Sequence, residues 1–181
     1  STYTPGGGST PYTPGSGGDS PYMPGGDSCV KKLEADCNFA DGPADNKVMG
    51  SIKMTQYECT GGEEVRYTGE LTFTAADDGS DYPAGMGFHV HNDDVDFSDA
   101  TKTCTDAGGH FAVSPDEIHG PPSAVPPARH HGDLGNIPQA NLMSSVNIVD
   151  TVTSLFSDKD GFIGDRVIVV HAGTDDFTTQ P

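Results

Sequence analysis

Val65-Arg66-Tyr67-Thr68-Gly69-Glu70-Leu71-Thr72-Phe73-Thr74 decides the fold class of this chain. Its apolar side chains, Val65, Tyr67, Leu71 and Phe73, alternate with Arg66, Thr68, Glu70, Thr72 and Thr74. Successive side chains of an extended backbone point to opposite faces, so a period of two marks a strand with one face buried and the other wet. Val48, Ile52 and Met54 stand against Met49, Ser51, Lys53 and Thr55 in the same way. Further strands are predicted at 30–39, 87–91, 133–137, 144–150 and 166–171. Turn signals separate them at Asp41-Gly42-Pro43, Gly61-Gly62, Asp77-Asp78-Gly79 and the segment 158–161. No stretch carries helical amphipathic spacing. Seven short strands with Gly-rich turns predict an all-β antiparallel sandwich or barrel over residues 29–181.

Residues 1–28 read differently. Three imperfect repeats, Tyr3-Thr4-Pro5-Gly6, Tyr12-Thr13-Pro14-Gly15 and Tyr22-Met23-Pro24-Gly25, are joined by Gly, Ser and Asp. With almost no aliphatic side chains they cannot build a core, and they predict a low-complexity tail. The tail is expected to act as an assembly element that docks on a neighbouring subunit. Nine Lys+Arg against 27 Asp+Glu leave the chain at −18. That balance argues against nucleic acid and anionic membrane surfaces as partners. No apolar run is long enough to span a membrane. No signal peptide is visible, so an exported protein would begin here after cleavage.

Cys29, Cys37, Cys59 and Cys104 form an even set without CxxC spacing, which predicts disulfides in an oxidising, extracellular setting. Two bridges are expected. A strand running from Cys29 to Cys37 would hold their Cα atoms roughly 26 Å apart at about 3.3 Å per residue, against the 4.4–6.8 Å or so that a disulfide needs. Cys29–Cys59 with Cys37–Cys104, and Cys29–Cys104 with Cys37–Cys59, both remain open.

All seven histidines lie between residues 89 and 171. His89-Val90-His91 puts two imidazoles on one face of a strand. His110, His119, His130, His131 and Asp133 follow in a loop rich in Pro and Gly. His171 ends the apolar run 167–170, with Asp175-Asp176 just beyond. Imidazoles with a carboxylate suit zinc or copper, and a metal gives a long irregular loop a reason to be ordered.

Four blocks, Gly87-Phe88-His89-Val90-His91, Ala107-Gly108-Gly109-His110-Phe111, Arg129-His130-His131-Gly132-Asp133-Leu134-Gly135-Asn136 and Val169-Val170-His171, resemble the signature blocks of copper–zinc superoxide dismutases, in that family's order. The resemblance covers roughly residues 30–177. It implies a Greek-key β-barrel, with about seven of its eight strands supplied here. It further implies copper held by His89, His91, His110 and His171, and zinc held by His110, His119, His130 and Asp133. His110 would bridge the two metals and shuttle a proton as copper cycles, with superoxide as substrate. Asp175 matches the carboxylate that ties one ligand of each metal together. His131 has no role in the pattern and is expected to be a solvated neighbour.

The chain also departs from the family. Ten residues follow His171 and no Lys or Arg follows Arg166, so the family's guiding arginine has no counterpart here. Slower capture of an anionic substrate is therefore expected, with Arg129 and Lys102 as the remaining candidates for steering. Cys104 stands six residues before His110, as the family's disulfide cysteine does, and that cysteine's usual partner falls beyond these residues. Two functions are consistent with the sequence: an extracellular superoxide dismutase, and a structural subunit of an extracellular fibre or matrix that uses the same fold as a metal-binding brick.

Overall fold

Short connections make consecutive strands pair with each other, and the alternating segments do so from the start of the domain. β1 (Cys29–Asn38), β2 (Val48–Cys59) and β3 (Gly62–Phe73) form a meander in which Cys29 faces Cys59, Met54 faces Tyr67 and Val48 faces Phe73. β4 (Gly85–His91) then opens a second sheet and β5 (Asp133–Pro138) pairs with it. β6 (Met143–Asp150) returns beside β3, and β7 (Val167–Val170) returns beside β4. The sheet orders are β1-β2-β3-β6 and β5-β4-β7, antiparallel throughout, with the crossings of a Greek key. The computed structural model describes residues 28–43, 46–76 and 81–178. The predicted tail, apart from Ser28, and the Asp77-Asp78-Gly79 turn lie outside the described residues.

The inner faces meet in one core. Ile52, Val65, Tyr67 and Leu71 come from the first sheet, and Phe88, Val90, Ile137 and Ile168 from the second. Tyr67 meets Phe88 edge to face across the sandwich, with ring centroids 6.4 Å apart. Such a contact adds about 0.5–1.5 kcal/mol beyond the area it buries. The buried Tyr67 hydroxyl pairs with Thr153 Oγ1 at 2.7 Å, so its polar end is satisfied. The alternation read in β3 holds at all four apolar positions. In β2 it fails at Thr55, which is buried rather than wet. Gln56 beside it is buried too, because its Oε1 accepts from Leu155 N at 2.8 Å and anchors the loop after β6.

The cysteine expectation is corrected in half. Cys29 and Cys59 are bridged across the β1–β2 register. Cys37 and Cys104 are not bridged to each other. Cys37 points into the core from β1, whereas Cys104 lies exposed in the loop ahead of His110. Burial pushes the Cys37 thiol up to about 12, which suppresses the reactive thiolate. A thiol-specific dye at pH 8 should therefore label one cysteine per native chain, Cys104, and two after denaturation. No labelling in denaturant would reveal a second bridge and overturn this assignment.

Candidate metal centre

β4 is covered on both faces. Phe88 and Val90 enter the core, while His89 and His91 face outward beneath the long loops. The 107–111 segment crosses beside the strand end, with His110 bridged to His91 and Phe111 N donating to Val90 O at 2.8 Å. His171 follows β7 directly and its N–H donates to Gly87 O at 2.8 Å. Gly132 fits where no side chain could, since a Cβ there would stand 2.1 Å from Val90 O. That close approach brings the His130–Asp133 turn onto β4.

Two donor sets result, and His110 belongs to both: His89, His91, His110 and His171, and His110, His119, His130 and Asp133, the donor atoms of each within 4.8 Å of one another. Hydrogen bonds select which nitrogen each ring presents. Asp175 Oδ2 accepts from His89 Nε2 at 2.8 Å and its Oδ1 accepts from His119 Nε2 at 2.7 Å. Gly108 O accepts from His91 Nδ1 at 2.8 Å. Carboxylates and carbonyls only accept, so the opposite nitrogens, Nδ1 of His89 and His119 and Nε2 of His91, are left with lone pairs facing the cluster. In the second set, His110 Nδ1 is 2.6 Å and His119 Nδ1 3.2 Å from the single oxygen Asp133 Oδ1. Asp133 Oδ2 accepts from Gly120 N at 3.0 Å and His130 N at 2.9 Å.

The site's own strain tests whether metals fit. His89 Nδ1, His110 Nε2 and His119 Nδ1 are buried with no hydrogen-bond partner among the described residues. His91 Nε2 and His171 Nε2 face each other at 3.2 Å. Burying a polar atom unsatisfied costs about 1–3 kcal/mol, and several converging imidazole lone pairs are what a soft or borderline cation relieves. Four nitrogens in one set suit copper, and three nitrogens with one carboxylate oxygen suit zinc. Burial, with repulsion from His110 and His171, lowers His89 to about 3. Burial likewise lowers His91 to about 4, against the Gly108 carbonyl that favours its charged form. Both rings are thus kept neutral and able to ligate. Burial opposes the charge on Asp133, but the His110 ring and the N–H groups of Gly120 and His130 outweigh it and hold the carboxyl well below its ordinary range.

The sequence missed the residues that support this arrangement. Asn136 exchanges two hydrogen bonds with the backbone of Asp175, at 2.8 and 2.9 Å, and so fixes the carboxylate between the two sets. Its place in a quoted motif was the only signal. Arg129 is 1% exposed and gives its guanidinium to Asp133 O and the Asp150 carboxylate, so it cannot steer substrate. Lys102 is exposed, 3.4 Å from Asp106. His131 is no solvated neighbour either: its ring packs toward Phe111 and its Nδ1 donates to Glu117 at 2.9 Å.

Comparison with known proteins points to one family. A family model described as copper/zinc superoxide dismutase matches residues 48–181, a span that holds all seven histidines. The copper–zinc superoxide dismutase of Schizosaccharomyces pombe is 37% identical over 136 residues, 73% of this chain and 75% of its own. That of Candida albicans is 37% identical over 134 residues, 74% of this chain and 76% of its own. A copper–zinc superoxide dismutase of Dictyostelium discoideum is 44% identical over 92 residues, and there the chain spans only 55% of the relative's length.

The depressed histidines give a pH prediction for the chelator-stripped chain. Folded His91 binds its proton only near pH 4, whereas the unfolded ring does so near 6.5. The stability it contributes is therefore present above pH 6.5 and is lost as pH falls toward 4. The loss should be on the order of 2 kcal/mol between pH 7 and 4.5. Thermal unfolding should show a midpoint several degrees lower at pH 4.5, and His91→Gln should shrink that difference.

Proposed function

Because this chain belongs to the copper/zinc superoxide dismutase family, we propose that it dismutates superoxide at the shared-histidine site. The observation that carries this reading is His110, one buried ring that belongs to both donor sets, with Nδ1 2.6 Å from Asp133 Oδ1 and Nε2 buried without a hydrogen-bond partner among the described residues. His89 Nδ1, His91 Nε2, His110 Nε2 and His171 would hold copper. His110 Nδ1, His119 Nδ1, His130 and Asp133 would hold zinc, and Asp175 orients one ring of each set. Copper supplies the one-electron exchange, by which two superoxide ions and two protons become one dioxygen and one hydrogen peroxide. Zinc keeps one oxidation state and contributes charge and order. His110 would take and give up a proton at Nε2 only when that nitrogen is not holding copper, with Asp133 fixing the ring from its other side.

Electrostatics make capture slow in this reading. The cleft over the rings is lined by His89, His110, His119, His171, Asp175 and Asp176, with no Lys or Arg among them. Salt screens repulsion over about 8–10 Å. Turnover of superoxide by metal-replete protein should rise as salt is added, and His110→Ala should lower it by about 100-fold or more. A rate that falls with salt would mean that a cation does steer the substrate. The Cys29–Cys59 bridge supports placing the protein outside the cell.

The fibre reading is favoured by one feature. Among the described residues β7 pairs only with β4. Val170 of β7 lines a cleft of about 280 Å³ together with Val48, Phe73, Tyr82 and Met86 and with the polar Asn46, Lys47, Thr103 and Thr105. Unpaired edges capture extended segments, and residues 1–28 of a second copy, with Tyr and Pro at intervals, suit that cleft. Head-to-tail docking does not close on itself and gives filaments. Removing residues 1–28 should leave a soluble domain of monomer size by light scattering. An unchanged particle size would dismiss the tail as the assembly element.

A further inference from the structure

The loop between Phe111 and β5 carries His119 and His130 with no regular secondary structure, so something other than a strand or helix ladder must set the spacing of those two rings. Glu117 occupies the position from which that can be done. It is 7% exposed, and each carboxylate oxygen accepts twice. Oε1 accepts from Val113 N at 3.1 Å and Ser114 N at 3.0 Å. Oε2 accepts from His131 N at 3.0 Å and His131 Nδ1 at 2.9 Å. One side chain thus closes the 113–117 turn and fastens it to the opposite strand of the loop. The fastened points are adjacent to the donors, since Glu117 stands two residues before His119 and His131 one residue after His130. The rings of His119 and His130 lie stacked at 29° with centroids 5.9 Å apart. Across this stretch the backbone is also tied from Ile118 N to Pro127 O at 3.0 Å and from Gly132 N to Phe111 O at 2.9 Å.

We propose that Glu117 is a positioning residue for the zinc half of the centre: a carboxylate clasp, completed by His131, that sets the separation of His119 and His130 before metal arrives. This rests on the zinc reading of the second donor set. All four acceptor positions of the carboxylate are used, so an amide cannot replace it, because an Nε2–H₂ would confront the N–H groups on one side. Groups that orient metal ligands through a second layer of hydrogen bonds typically change metal affinity by about 10–100-fold. The copper set lacks His119 and His130, so its loading is the internal control.

Cobalt(II) titration of the metal-free full chain, with copper added afterwards, reads both halves. Wild-type protein should show intense visible bands of tetrahedral cobalt. Glu117→Gln should bind cobalt about 10–100-fold more weakly and with weaker bands, at unchanged copper stoichiometry. His131→Ala, which keeps the backbone bond to Oε2 and loses only the ring, should fall between the two and serves if Glu117→Gln does not fold. Variants with wild-type cobalt affinity and spectra overturn the clasp. A wild-type chain without tetrahedral bands removes the zinc reading itself, and the clasp with it.

Discussion

One carboxylate, Asp133, is the constraint on which the centre depends. It opens β5 opposite His89 of β4, so its position is set by the sheet. One oxygen faces the rings of His110, His119 and His130, and the other is saturated by the N–H groups of Gly120 and His130. Its backbone carbonyl accepts from Arg129, whose other branch reaches Asp150 at the end of β6. Asp150 in turn caps the 152–153 turn, with Thr153 N at 2.7 Å, and Thr153 meets the Tyr67 hydroxyl in the core. A buried guanidinium is tolerable only when paired and hydrogen-bonded. The loop, the donor set and the first sheet are thereby joined through a single polar chain.

The sheets were legible because burial writes a period of two into sequence. Val65, Tyr67, Leu71 and Phe73 had to alternate if β3 has a wet face. The histidine sets were legible for another reason: imidazoles cluster in sequence only when chemistry requires them, and the signature blocks gave their partners. Groups that act through the backbone stayed hidden. Glu117, Asn136 and Arg129 belong to residue types that are ordinarily exposed, and nothing local distinguishes a solvated Glu from one that gathers four N–H groups. Thr55 was misplaced on the wet face, and Gln56 beside it is held by the loop after β6, nearly a hundred residues away in sequence. A second bridge was expected from parity alone, with its pairing left open, and parity is silent on which side of a sheet a thiol faces.

Asp175 imposes a second constraint of a different kind. It accepts from one ring of each donor set, so any movement of His89 is felt at His119. Two sites that share an orienting group have a coupling free energy, and coupling is reciprocal. Occupation of either set should therefore preorganise the other, with His110 as the direct path and Asp175 as the indirect one.

The Cys29–Cys59 bridge has a mechanical consequence. It joins the first residue of β1 to the last residue of β2 across 30 positions of sequence. Tension entering from residues 1–28 meets this covalent link directly after the single hydrogen bond from Thr60 N to Ser28 O. It then passes directly to the β2–β3 turn. The thirty positions it bypasses, roughly 100 Å of contour length at about 3.3–3.6 Å per residue, cannot be paid out while the link is oxidised. A pulled chain would yield from β3 onward, through the strands that carry the histidines, and a reduced one would unzip from β1 first.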